Sequence, residues 1–281
     1  MDDKLRTPSP AIPLFIPGQT GDLFAMYYPP ADNDQPKKVF LHIPAFAEEM
    51  NKSRRMVALQ ARAFAQQGFG VLVLDLLGTG DSSGSFSDAT WLIWQRDIDT
   101  AIQWLVGQGA ESINLWGLRM GGLLAMDFIA NTGVKIDKLI CWQPVLNGET
   151  FVMQFLRLRV AAAVMDRHAP QEKTSELKHQ LLDGKAVEVA GYLLNPDLIM
   201  PMLALRANEL DLSAVSELML FEVVSSEDVE VSPANAKFIE ILNSNNQRAT
   251  IKTVVGSPFW STQEIVAVHD LITQSNNSLY Q

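Results

Sequence analysis

The chain has 281 residues, 47% apolar and 19% charged, which suits one large α/β domain with an insertion and excludes a disordered or fibrous protein. Its net charge of −10 excludes general nucleic-acid binding and argues against docking on anionic lipid, since both partners demand basic surface. A lone cysteine, Cys141, excludes an internal disulfide framework and fits a reducing cytosol. Met1-Asp2-Asp3-Lys4 carries no apolar leader core, and no stretch reaches the ~18 apolar residues of a membrane span. The expected location is cytoplasmic, with no integral membrane segment.

Taken in order, Ile12–Ile16 and Leu23–Tyr28 are short apolar runs around a Pro-Gly-Gln-Thr-Gly turn, the pattern of a hairpin. Lys38–Ile43 reads as the next strand, followed by a loop from Pro44 to Asn51. A helix is expected from about Ser53 to Gln67, with Met56, Leu59, Ala63 and Phe64 at helical spacing and Gly68 as its stop. Val71–Leu77 is a strand, an apolar run interrupted only by Asp75, the kind that a sheet covered on both faces requires. Beyond Gly78-Thr79-Gly80-Asp81-Ser82-Ser83-Gly84 comes a helix at about Ala89–Val106, whose inward face is Trp91, Trp94, Ile98, Ala101 and Leu105. Ile113–Trp116 is a strand, Leu123–Ala130 a helix, and Lys138–Trp142 a further strand.

From Leu146 to Ala214 the rhythm breaks into a helical segment without an obvious strand, read as an inserted cap. The alternation resumes with a strand at Glu217–Val224, a helix at Ala234–Leu242, a strand at Ala249–Val255 and a final helix at Thr262–Thr273. Gln274–Gln281 is polar and expected to fray. Repeated β–α units imply a right-handed, mostly parallel sheet of about eight strands with helices on both faces. The core is residues 1–145 and 215–281, and the cap is 146–214.

The most informative stretch is Leu115-Trp116-Gly117-Leu118-Arg119-Met120-Gly121-Gly122. A strand, a sharp glycine-flanked turn and a helix resemble the nucleophile elbow of the α/β-hydrolase fold. The residue at the nucleophile position is Arg119. A guanidinium stays protonated and offers only donors, so it cannot attack a carbonyl. Asp228, in the loop Ser225–Pro233, falls at the acid position. Pro258 stands at the histidine position, with Phe259 beside it. The histidines are His42, His168, His179 and His269; His269 belongs to the last helix, and none stands in the loop that directly follows the last strand. The usual base and nucleophile are therefore both missing. Ser82 and Ser83 read as turn-capping hydroxyls, and Cys141 as a small buried hydrophobe. No cluster has metal-ligand spacing, and the glycine turns match neither a P-loop nor a dinucleotide fingerprint, so no metal or cofactor is expected.

Four segments carry a closer resemblance. They are Ile43–Arg55 (with the run Glu48-Glu49-Met50-Asn51-Lys52), Asp75–Ser82, Trp116–Gly121 and Trp142–Phe151. With the Pro258-Phe259-Trp260 loop they are similar to the exosortase A system-associated hydrolase family, type 2, of the α/β-hydrolase superfamily. The resemblance implies a bacterial cytosolic protein linked to exopolysaccharide production and exosortase-dependent sorting, and its family name implies a hydrolase.

Arg119 opens a helix, where free N–H groups and the helix dipole favour an anion. Backbone donors from Met120 and the Phe46 region lie beside it. The guanidinium then suits a carboxylate or phosphate, or else an internal partner among Glu48, Glu49, Asp81 and Asp228. Candidate ligand-binding residues are Phe46, Glu48, Arg119, Met120, Asp228 and Trp260. The run Glu48–Arg55 reads as a solvated helix entry or as a rim over the pocket. The Arg157 and Arg159 segment reads as a packed helix or as a lid over an amphipathic acidic ligand. Two functions stay open at this point. One is a binding protein for an anionic small molecule or a pathway partner. The other is an ester or acyl hydrolase with a non-standard mechanism, for which the cap would have to supply His168 or His179.

Overall fold

Eight of the apolar runs pair into a single sheet in the computed structural model, which describes residues 10–31, 37–165 and 172–280. The strands are β1 (Ile12–Pro17), β2 (Asp22–Tyr28), β3 (Lys38–Ile43), β4 (Gly70–Leu74), β5 (Ser112–Leu118) and β6 (Ile136–Trp142), joined after an insertion by two more. Helices α1 (Glu48–Gln66), α2 (Trp91–Gly107) and α3 (Met120–Thr132) connect β3 to β4, β4 to β5 and β5 to β6.

The insertion holds α4 (Gly148–Met165), α5 (Thr174–Leu182), a small hairpin of β7 (Val187–Val189) and β8 (Tyr192–Leu194), and α6 (Pro196–Ala204). The main sheet then resumes with β9 (Val215–Val224), α7 (Pro233–Ser244), β10 (Ala249–Val255) and α8 (His269–Asn277). Strand order is β1-β2-β4-β3-β5-β6-β9-β10. The β1–β2 and β2–β4 pairs are antiparallel and the remaining neighbours parallel. This is the α/β-hydrolase fold.

The central strands are buried on both faces, so two apolar layers form. One, around Leu41, Leu115 and Leu139, packs on α2 and α3 and continues into the insertion through Phe151, Leu156 and Leu198. The other, around Phe40, Trp116, Trp142 and Phe221, packs on α1 and α8. All five residues expected on the inward face of α2 are buried. Among the described residues, no helix is long and apolar enough to cross a membrane.

Five sequence expectations need correction. Helix α1 begins at Glu48 rather than near Ser53, so Glu48–Asn51 is helix instead of loop. β4 stops at Leu74, because Asp75–Leu77 turns away to let the Asp75 carboxylate accept from Arg54 and from the Asp81 N–H. The insertion does contain strands, β7 and β8. The last helix starts at His269, seven residues later than expected, and the tail does not fray: Ser275, Ser278 and Leu279 are buried. Ser275 there accepts from the indole N–H of Trp142 at 2.9 Å.

Candidate functional site

The site lies at the carboxyl edge of the sheet, where β3, β5 and β6 end. Three non-glycine residues with positive φ sit there, one after each strand: Ala47 (φ 52°), Arg119 (φ 55°) and Gln143 (φ 43°). Such backbone costs free energy for residues with a Cβ, and it gathers where the chain must turn sharply under a functional side chain. Ala47 and Arg119 share nearly one conformation, with ψ −125° and −120°, and each directly precedes a helix. The turns close tightly. A Cβ on Gly121 would lie 2.3 Å from the Ile43 carbonyl oxygen and 2.4 Å from that of Pro44. Only glycine permits that approach.

Arg119 is fixed at its backbone before its side chain comes into play. Its N–H donates to the Trp142 carbonyl at 2.9 Å, and its own carbonyl accepts from Gly122 and Val145. The side chain reaches Glu49 in the first turn of α1. Nε donates to both carboxylate oxygens, at 3.2 and 3.3 Å, and Nη2 to Oε1 at 3.1 Å. Both side chains are about one-fifth exposed. The guanidinium carbon also stands 5.8 Å from the Phe151 ring centre and 5.4 Å from that of Trp260, within cation–π range of both. Burial raises the Glu49 pKa above the ordinary carboxylate range, and the Arg119 charge opposes that shift. Arg119 Nη1 has no protein partner among the described residues.

Of the four acidic partners proposed for Arg119, the structure selects Glu49. Glu48 instead accepts from the Tyr192 hydroxyl at 3.2 Å, a tie from α1 to the insertion hairpin. Burial, with a further push from that carboxylate, raises the Tyr192 phenol to about 12. Asp228 is exposed in the loop after β9, with no bond to Arg119. The Phe46 side chain is buried against Phe86, Phe151 and Phe155, behind the rings that line the site and not in its lining. Met120 is buried in the first turn of α3. At the histidine position Pro258 is exposed, whereas the Phe259 ring is fully buried beside Trp142, and Trp260 turns back over Arg119.

The other candidates sort cleanly. Ser82 is structural: its hydroxyl donates to the Asp75 carbonyl at 2.6 Å and accepts from the Phe24 N–H. Ser83 likewise accepts from the Asp22 N–H. Cys141 is fully buried, and burial pushes its thiol up, away from thiolate character. His42 lies under the sheet edge, its ring against Trp116, with Nδ1 3.0 Å from the Trp116 carbonyl and a pKa lowered to about 3 by burial. His179 contacts the Ser175 carbonyl in α5, and His168 falls outside the described residues. Arg159 is paired with Glu172, so it packs the insertion instead of facing the site. No group of three or more potential metal ligands occurs among the described residues.

Two cavities meet at Arg119. One, of about 290 Å³, runs along Phe151, Phe155, Leu158 and Trp260, with Glu48, Glu49 and Lys52 at its rim. The other, of about 420 Å³, is bordered by Gln143, Asn147, Thr150, Ser232 and Asn235. The second was not legible in the sequence, because its residues come from the ends of β6 and the starts of α4 and α7 and share no motif.

The family model described as "Serine aminopeptidase, S33" (Hydrolase_4) matches residues 34–213. No curated protein sequence matches the chain. Among solved structures, the chain is similar to Est1E from Butyrivibrio proteoclasticus with ferulic acid bound, at a TM-score of 0.71 and 16% identity over 95% of this chain and 97% of that one. It is also similar to XC6422 from Xanthomonas campestris, described as an α/β serine hydrolase without lid, with TM-score 0.57, 15% identity and coverage of 98% and 96%. A third is the Pyrococcus furiosus esterase Pf2001, with TM-score 0.59, 15% identity and coverage of 96% and 90%. At these identities the likeness is one of fold.

Proposed function

We propose that this chain, which belongs to the Hydrolase_4 (serine aminopeptidase) family, uses its elbow to bind an anionic small molecule rather than to hydrolyse esters. One observation carries the reading. The elbow holds Arg119, whose guanidinium is clamped by Glu49 and flanked by two aromatic rings, with Nη1 left over at the meeting point of two cavities. A permanently charged donor group can attract a carboxylate or phosphate, but it cannot serve as a nucleophile. The first turns of α1 and α3 both end here, and their partial positive charge adds to the attraction.

The loop after β10 carries no histidine before His269 at the start of α8, and at the histidine position Pro258 is exposed while Phe259 is turned into the core. Arg119→Ser alone is therefore expected to stay nearly inactive, because triad members act as a unit. The resemblance of Glu48–Lys52 and its companion segments supports placing the protein in the bacterial cytosol, in the service of exopolysaccharide production and exosortase-dependent sorting. Deleting the protein and weighing secreted polysaccharide tests that link.

The activity test is direct. Purified protein is expected to show no turnover of short acyl esters and no labelling by a fluorophosphonate. Millimolar sulfate, phosphate or a dicarboxylate is expected to raise its melting temperature, as a ligand at ~100 times its Kd adds about 2.7 kcal/mol. Arg119→Ala should lose that response. Ester turnover that survives Arg119→Ala, or an equal salt response in both proteins, overturns the proposal.

A further inference from the structure

The second cavity at Arg119 is built from amides whose orientations are fixed by chemistry. Gln143 Oε1 accepts from the Val223 N–H at 2.7 Å, so its NH₂ end is the one left over. Asn147 Oδ1 accepts from the Thr150 N–H at 2.9 Å at the start of α4, which leaves its NH₂ end over as well. Asn235 is the reverse case. Its NH₂ donates to the Glu222 carboxylate at 2.9 Å, and a carboxylate only accepts, so Oδ1 is the end left over. Asn235 is 6% exposed, and its Oδ1 has no protein partner among the described residues. That oxygen is nonetheless not sealed in, because the residue borders the open cavity.

The wall thus presents two fixed donors, one fixed acceptor and the hydroxyls of Thr150 and Ser232. Among the described residues, Arg119 is the only charged side chain lining it. Uncharged donors and acceptors at set positions match a ring of hydroxyl groups, each of which gives and takes one bond. They match an apolar group poorly, since an unserved buried amide is costly. The adjoining cavity has the opposite character: Phe151, Phe155, Leu158 and Trp260 dominate it. Phe151, Gln154 and Arg119 border both, so one ligand can span them.

We infer that the ligand is an amphiphilic glycoside, with its hydroxylated ring among Gln143, Asn147 and Asn235 and its apolar arm along Phe151, Phe155 and Trp260. This rests on the binding reading above and specifies its ligand class, with any acidic group lying at the junction beside Arg119.

The test is calorimetry and ligand-observed NMR on the full chain with four probes: hexyl β-D-glucopyranoside, glucose, hexanol and hexanoate. Hexyl glucoside is expected to bind at least about tenfold more tightly than glucose or hexanol. Asn147→Ser keeps an oxygen to accept from Thr150, Gln143→Met keeps the length of the side chain, and each withdraws the amide donor from the cavity. Each is expected to weaken hexyl glucoside about tenfold, the loss of one hydrogen bond, and to leave hexanol unchanged. Two variants guard against one that fails to fold. Hexyl glucoside binding no more tightly than hexanol, or equally to wild type and both variants, overturns the inference. Hexanoate reports on the anion reading separately. Its binding with loss in Arg119→Met, but no gain from the sugar, removes the glycoside alone; glucoside binding without hexanoate binding removes the anion alone.

Discussion

Arg119 and Glu49 are each about one-fifth exposed, deep enough that neither charge is well served by water once the other is gone. Arg119→Met is expected to cost about 1–3 kcal/mol at neutral pH, since it leaves a carboxylate that burial already disfavours. The sign of the pH dependence follows. Without Arg119 the Glu49 pKa rises further, so the folded state holds a proton the unfolded state has released. Stability of the variant therefore falls as pH climbs through that raised value and recovers on acidification. Urea titrations at several pH values check this. Adding Glu49→Gln to Arg119→Met should recover most of the loss, and a double mutant no better than the single one would show that the pair is not the cause. At this scale the sequence located Arg119 and narrowed its partner to four carboxylates. It could not choose among them, because the choice depends on α1 starting at Glu48. That start puts Glu49, one residue further round the helix than Glu48, against the guanidinium.

Elements near the site are held by backbone contact, and Gly121 measures how closely. The 2.3 Å approach of a Cβ to the Ile43 carbonyl oxygen leaves α3 no room to stay against β3. Gly121→Ala is expected to destabilise by about 3 kcal/mol or more, or to prevent folding. Gly107→Ala, where a Cβ meets nothing and φ is ordinary, is the control and should be neutral or slightly stabilising. Equal melting temperatures for the two variants would refute this account of the elbow. The long apolar runs and the glycine turn were legible because continuous burial and tight turning leave compositional marks. The hairpin of β7 and β8 was missed although Val187-Glu188-Val189 and Tyr192-Leu193-Leu194 flank a two-residue Ala190-Gly191 turn with φ 50° and 85°. Two positive φ values in a two-residue loop are a hairpin mark, but three-residue strands are too short to show periodicity. The late start of α8 was hidden for a different reason. Residues 261–268 contain no glycine or proline to mark them as loop, and Val268 at their end is drawn into the second core.

Across the whole molecule, two buried titratable groups, Asp97 in α2 and His42 in β3, pull the pH dependence of stability in opposite directions. Asp97, in α2, is 3% exposed and accepts from the Leu77 N–H at 2.9 Å. Burial raises its pKa from 3.8 to about 6. The folded state therefore binds a proton that the unfolded chain has lost between those values. Stability contributed by Asp97 falls as pH rises through that window, by about 3 kcal/mol in total. His42 runs the other way. Its pKa drops from 6.5 to about 3, so the unfolded chain binds the extra proton and stability rises with pH across the same range. The two slopes nearly cancel between about pH 4 and 6. Asp97→Asn removes one of them while keeping an oxygen to accept from Leu77. The variant is expected to be more stable than the wild type by about 1–3 kcal/mol at pH 8 and to match it near pH 4. The difference between them should grow with pH through the window and level off above it. Urea denaturation of both proteins at half-unit steps measures that difference directly, and a difference independent of pH would show that Asp97 is not the buried carboxyl that sets the slope.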